Sequence, residues 1–167
     1  MTVDREDADR VAELIAVQEG RSPVPLLDDA GIAAVLRDAR RIAVVGVSPR
    51  PFRPANSVFA ALRRAGFDVV PVNPDLATFD GLPCHPTVAA AVEATGPVDI
   101  VDVFRRPSAC PDVARDAVAA PARRLDPANR RVARLEAGGN ARAGGPAVVM
   151  ARCPPVEAHR HGIRSAR

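Results

Sequence analysis

Arg50 and Arg53 stand between an apolar run, IAVVGV (42–47), and a stretch opening on Pro54, while Arg105 and Arg106 directly follow a second apolar run, VDIVDVF (98–104). A guanidinium presents its donors in a planar fork that matches phosphate or carboxylate oxygens two at a time, so four of them at one edge of a sheet form an anion-binding set. Gly46, Val47 and Ser48 close the first run. Glycine lets the backbone turn and admits a ligand close to its N–H groups, Ser48 offers a hydroxyl, and a helix beginning near Pro54 would point its positive end at the same place. Such a set suits a ligand with several phosphates better than one with a single pyrophosphate; a pyrophosphate plus a ribose phosphate meets the description. Asn73 can hydrogen-bond a base or sugar, and Pro74 and Phe104 can form apolar walls.

The same residues argue against a nicotinamide or flavin fingerprint. Gly46 is followed by Val, Ser, Pro, Arg and Pro, so the G-x-G-x-x-G spacing is absent, and Asn73–Pro74 occupies the place of the acidic residue that would hold a ribose diol. No catalytic set is expected. Cys84 and His85 are neighbours in sequence, whose side chains rarely meet as nucleophile and base, and His159 and His161 lie far along the chain. Cys84, Cys110 and Cys153 are odd in number and widely spaced, which indicates neither a disulfide framework nor a metal site.

To bring the arginines together the chain must lay its apolar runs side by side. IAVVGV and FDVVPVNP (67–74) read as strands buried on both faces of a parallel sheet, joined by a helix from Pro54 to Gly66 with Val58, Ala61, Leu62 and Ala65 on one face. Asp28 or Asp29 can cap a preceding helix through about Arg40. GLPCHP can hold a short strand, Pro86 can start the helix TVAAAVEA, and CPDVARDAVAA follows the third long strand. Strands alternating with helices predict an α/β fold, Rossmann-like and doubly wound, with a mostly parallel sheet in a three-layer α/β/α arrangement and a right-handed crossover. From Pro121 to Gly145 the pattern falters: RRVARLEA could make a short helix, but no credible buried strand precedes it, so the C-terminal third is expected to be irregular. AVVM (147–150) restores a strand-like run. The expected organisation is an N-terminal helical extension over 1–27, with a helix at 4–19 broken by GRSPVP, one domain over 28–155, and a polar tail over 156–167.

The chain has 167 residues and a formal charge of +3, with aromatic residues at 3% and neither Trp nor Tyr. Every basic residue is Arg, the arginines form no long run, and stacking platforms for single strands are few, so nucleic acid is not the expected partner. The acidic start, MTVDREDADR, lacks the order of a secretory signal, and no apolar run approaches the ~20 residues that span a bilayer. A cytoplasmic protein without a membrane partner is expected.

IAVVGVSPRPFRPANSV, GFDVVPVNP, GLPCHPTVA and PVDIVDVFRRP, in that order, resemble the small coenzyme A-binding protein family, related to the nucleotide-binding domain of the succinyl-CoA ligase alpha subunit. VVMARCP is a fainter match. The resemblance covers about residues 30–120 and 146–155 and implies that Gly46, Val47, Ser48, Arg53, Asn73, Pro74, Phe104 and Arg105 surround coenzyme A; Arg50 and Arg106 are added on charge and position. The family's next strand, an apolar run ending in a glutamine-glycine turn, should fall near 122–130, where ARRLDPANR stands instead, and a later acidic position reads Ala151. Residues 121–145 are thus either a divergent segment or a stretch translated out of frame. The favoured reading is a non-catalytic coenzyme A-binding protein with a small-molecule ligand. The alternatives are an NAD(P)- or other nucleotide-binding sensor domain and an acyl-CoA ligase-like subunit, although no histidine is placed for phosphoryl transfer.

Overall fold

The computed structural model describes residues 28–106, 109, 112–113, 115–116, 124–126, 147–148 and 153–165. The expected extension over 1–27, the stretch RRVARLEA and Ala151 lie outside the described residues. Asp28 caps α1 (Asp29–Asp38), its carboxylate accepting the Gly31 N–H at 2.7 Å. The chain then runs through β1 (Arg41–Val45), α2 (Pro54–Arg64) and β2 (Asp68–Val72). Pro54 opens α2, where its missing N–H costs nothing, and Gly66 at φ +94° reverses the chain after it.

A two-stranded antiparallel ribbon, β3 (Thr78–Phe79) with β4 (Leu82–Pro83), precedes α3 (Val88–Thr95). Thr87 rather than Pro86 starts that helix: its hydroxyl accepts the Ala90 N–H at 3.0 Å, and Asp116 accepts the Val88 N–H at 2.7 Å. Then come β5 (Ile100–Val103), β6 (Arg124–Asp126), β7 (Ala147–Val148) and α4 (Pro154–Arg160).

The main sheet has the order β2-β1-β5-β6-β7, and every neighbouring pair is parallel. Ile42 stands beside Val69 and Ile100 in register, and all three belong to the core formed with Ile32 and Leu36 of α1 and Phe59 and Leu62 of α2. The alternate residues Ala43, Val45, Val70 and Val101 are buried on the other face, where α3 contacts β1 and β2. This is the expected three-layer α/β fold. Among the described residues no helix is long and apolar enough to cross a membrane.

Two expectations are corrected. A strand does occupy the place next to β5: Val101 and Asp102 pair with Leu125 and Asp126. Its three residues were illegible because the ladder is built from backbone groups, whereas the sequence criterion was an apolar run. Nor is the stretch from 156 simply a polar tail, since α4 begins at Pro154, packs against α1 and α2, and buries Glu157, Ala158 and Ile163 beyond it. The Ser165 N–H donates to the Ala65 carbonyl at 3.1 Å and ties this segment to the end of α2.

The amino edge of the sheet is stapled by charge. One Asp99 carboxylate oxygen accepts the N–H groups of Arg40 and Arg41 at 2.9 and 3.0 Å, and the Arg41 side chain reaches Asp68 at 2.6 Å and the Thr95 carbonyl. β1, β2, the end of α3 and the approach to β5 are thereby joined.

Asp102 sits in β5 between β1 and β6 with no exposed surface, and among the described residues neither of its carboxylate oxygens meets a donor. Burial pushes its acid well above the ordinary value of 3.8, because the charged form would be desolvated. The unfolded chain therefore releases this proton near its usual value while the folded chain keeps it. The stabilising effect is complete below about pH 4 and is lost as pH rises toward the folded value. Asp102→Asn removes that dependence: in urea unfolding the variant should gain stability relative to the wild type between pH 5 and pH 8, and a difference constant with pH would contradict this account.

Candidate functional site

Strand order reverses direction at β1: the chain leaves it for β2 on one side and returns to β5 on the other. In open α/β sheets the crevice outside the carboxyl ends at such a point takes ligands. Here a cavity of about 230 Å³ lies there, lined by Gly46, Val47, Ser48, Arg53, Asn73, Phe104, Arg105 and Arg106. Eight of the ten residues singled out from sequence meet in one place. Arg50 and Pro74 are exposed beside it and do not line the cavity.

Gly46 makes the expected turn and has a further reason. At φ +99° its N–H already donates to the Val72 carbonyl at 2.9 Å, so it is committed to the sheet. A Cβ at 46 would lie 2.4 Å from the Phe104 carbonyl oxygen, a backbone atom that cannot move aside. The missing side chain lets the loops after β1 and β5 approach each other, and that approach brings Ser48 and Arg53 to face Phe104 and Arg105.

Asn73 also has a structural role. Only 8% exposed, it donates from Nδ2 to the Val47 carbonyl at 2.6 Å, and its Oδ1 accepts the Asp75 N–H at 2.8 Å. It fastens the end of β2 to the loop after β1, and its amide is oriented by backbone at the edge of the cavity.

Sequence reasoning missed Asn56, in the first turn of α2. Its Oδ1 accepts the Ser48 N–H at 3.0 Å, and its Nδ2 donates to the carbonyls of Ser48 and Arg50 at 2.8 and 2.9 Å. The available signal was position: a polar residue three places into a helix can reach back over the preceding loop, as in a capping box.

The electrostatics of the lining are cationic. The first turn of α2 contains no acidic residue, and Arg53 at the N-cap makes no side-chain capping bond, so the positive end of the helix adds to the guanidinium groups of Arg53, Arg105 and Arg106. Behind the loop, the Cys84 thiol is buried with its Sγ 3.8 Å from the Asn73 carbonyl; burial raises its pKa, which keeps it protonated and a poor nucleophile. Among the described residues no group of three or more His, Cys, Asp or Glu side chains could hold a metal ion.

A family model described as CoA binding domain matches residues 40–159. YneT of Bacillus subtilis strain 168 is 42% identical over 87 residues, which take in 52% of this chain and 62% of that protein's length. Among solved structures, a hypothetical protein from Pyrococcus horikoshii OT3 superposes with a TM-score of 0.73 at 31% identity, covering 80% of this chain and 92% of that one. The apo form of the dinucleotide-forming acetyl-coenzyme A synthetase 1 of Ca. Korarchaeum cryptofilum shares the fold at 22% identity, with a TM-score of 0.60 over 70% of this chain and 27% of that one.

The loop geometry yields two stability tests. Gly46→Ala should lower unfolding stability by about 3 kcal/mol or more, since it combines an unfavourable φ with a backbone overlap. Asn56→Ala, which strands one N–H and removes a donor from two carbonyls, should cost about 1–3 kcal/mol. Denaturant titration of both variants measures these losses.

Proposed function

The chain belongs to the CoA binding domain family, and from that premise we propose that it is a non-catalytic protein that holds coenzyme A at the carboxyl edge of its parallel sheet. One observation carries the reading. The glycine loop, the Asn73 turn and the Phe104–Arg106 edge converge on a single polar cavity at the strand-order reversal, beside the positive end of α2. The donor set fits a polyphosphate ligand. Arg53, Arg105 and Arg106 would meet phosphate oxygens, the α2 terminus would add its partial charge, and Phe104 would wall the arm that leaves the phosphates.

When bound, coenzyme A supplies a thiol that can carry acyl groups. The described lining offers guanidinium, amide and hydroxyl groups, which hold charge more readily than they move protons, and Cys84 is buried behind the loop. These features favour holding over turnover. A small-molecule ligand and a cytoplasmic setting, with neither nucleic acid nor membrane as partner, complete the proposal. An NAD(P)-binding sensor is less well supported, because the loop after β1 has one glycine and the turn after β2 puts Asn73 where an acidic residue would hold a ribose.

Calorimetric titration with coenzyme A, NAD and ATP tests the proposal: coenzyme A should bind tightest, and tighter binding of NAD would overturn it. Arg53→Ala and Arg105→Ala should each weaken coenzyme A by about 1.5–3 kcal/mol, the usual worth of hydrogen bonds to charged groups. Affinity should fall as salt is added, because exposed charges are screened. Unchanged affinity in both variants would reduce these arginines to surface charge.

A further inference from the structure

Phe52 is 97% exposed, the most solvent-accessible large apolar side chain among the described residues, and it stands on a hydrogen-bonded turn. Arg50 to Arg53 form a turn closed by the Arg53 N–H on the Arg50 carbonyl at 3.3 Å, with Pro51 in the position where its fixed φ favours the turn. The Asn56 amide donates to the same Arg50 carbonyl at 2.9 Å, and the Arg50 N–H donates to Ser48 Oγ at 3.2 Å. An aromatic ring thus stands in water at the apex of a braced turn, between two arginines, adjoining the residue that lines the cavity.

At 97% exposure no described residue covers the ring, whereas a ligand that passes Arg53 would. The cavity, at about 230 Å³, is smaller than the roughly 300–1,000 Å³ that drug-sized ligands occupy, so a nucleotide with a long arm must leave it. Phe52 directly precedes Arg53, which lines the cavity, and their Cα atoms are ~3.8 Å apart, so a ligand arm that leaves the cavity past Arg53 would come within reach of the ring. A base has a π-face, and stacking on an aromatic ring is its usual apolar contact. The turn fixes the backbone that carries the ring, so only the two side-chain torsions of Phe52 are ordered on binding.

We propose that Phe52 is a stacking platform for the adenine of the bound nucleotide and selects ligands that carry a base. This rests on the coenzyme A reading of the cavity. Because the chain has neither Trp nor Tyr, Phe52→Trp introduces the one indole in the protein and reports on stacking directly. Phe52→Ala and Phe52→Leu should bind coenzyme A about tenfold more weakly or worse by calorimetry, the range expected when an aromatic is removed from a base. Phe52→Trp should retain tight binding, with emission quenched by coenzyme A and not by pantetheine, which lacks the base.

Wild-type affinity in Phe52→Ala would overturn the platform while leaving the coenzyme A reading intact. So would unchanged emission from Phe52→Trp under conditions where calorimetry shows coenzyme A bound. Failure of the wild type to bind coenzyme A would overturn both. If sedimentation shows self-association of the wild type that Phe52→Ala abolishes at equal coenzyme A affinity, the ring is a contact between copies and the proposal falls.

Discussion

Everything at the carboxyl edge depends on how closely the loop after β1 can pass the end of β5. The space between Gly46 and the Phe104 carbonyl leaves no room for a Cβ, and the facing atom is backbone, held in turn by the Phe104 N–H on the Val45 carbonyl at 2.8 Å. Because both sides of the contact are main chain, side-chain repacking cannot relieve it. The approach sets where Ser48 and Arg53 lie relative to Phe104 and Arg105, and so the dimensions of the cavity between them. A three-glycine loop would bring backbone N–H groups to a ligand; this one uses a single glycine to bring two strand ends together, with Ser48, Arg53, Phe104 and Arg105 lining the cavity beside it.

The central strands were legible in the sequence because their apolar runs are continuous, as burial on both faces requires, and β1, β2 and β5 fall within those runs. Most of the site was legible for a related reason: once the strands are known, the residues at their carboxyl ends are neighbours. β6 was not, since Arg124–Asp126 joins the sheet through backbone pairing that no hydrophobic pattern announces. α4 was hidden by its polar composition, although Pro154 at its first turn was a usable start signal. The turn at Gly46 was legible, but its contact with the Phe104 carbonyl and the role of Asn56 were not, because they depend on distances between segments far apart in sequence or on a side chain folding back over its own loop.

Two asparagines and an aspartate show how differently this fold treats polar groups at least partly withdrawn from water. Asn56 and Asn73 are placed where backbone donors and acceptors would otherwise lack partners, and each connects a loop to its neighbour. Asp102, in the middle of the sheet, has its acid pushed well above the ordinary value by the cost of burying its charge. The loops gain definition from their amides, while the sheet tolerates an acid that gives it no visible hydrogen bond among the described residues.

At the opposite edge, Asp99, Arg41 and Asp68 bind β1, β2 and the approach to β5 to one another without any residue of the cavity taking part. Strand register is thus held from behind. The two edges are therefore mechanically separate: a side chain of the cavity can be replaced without disturbing the bonds that align the strands beneath it.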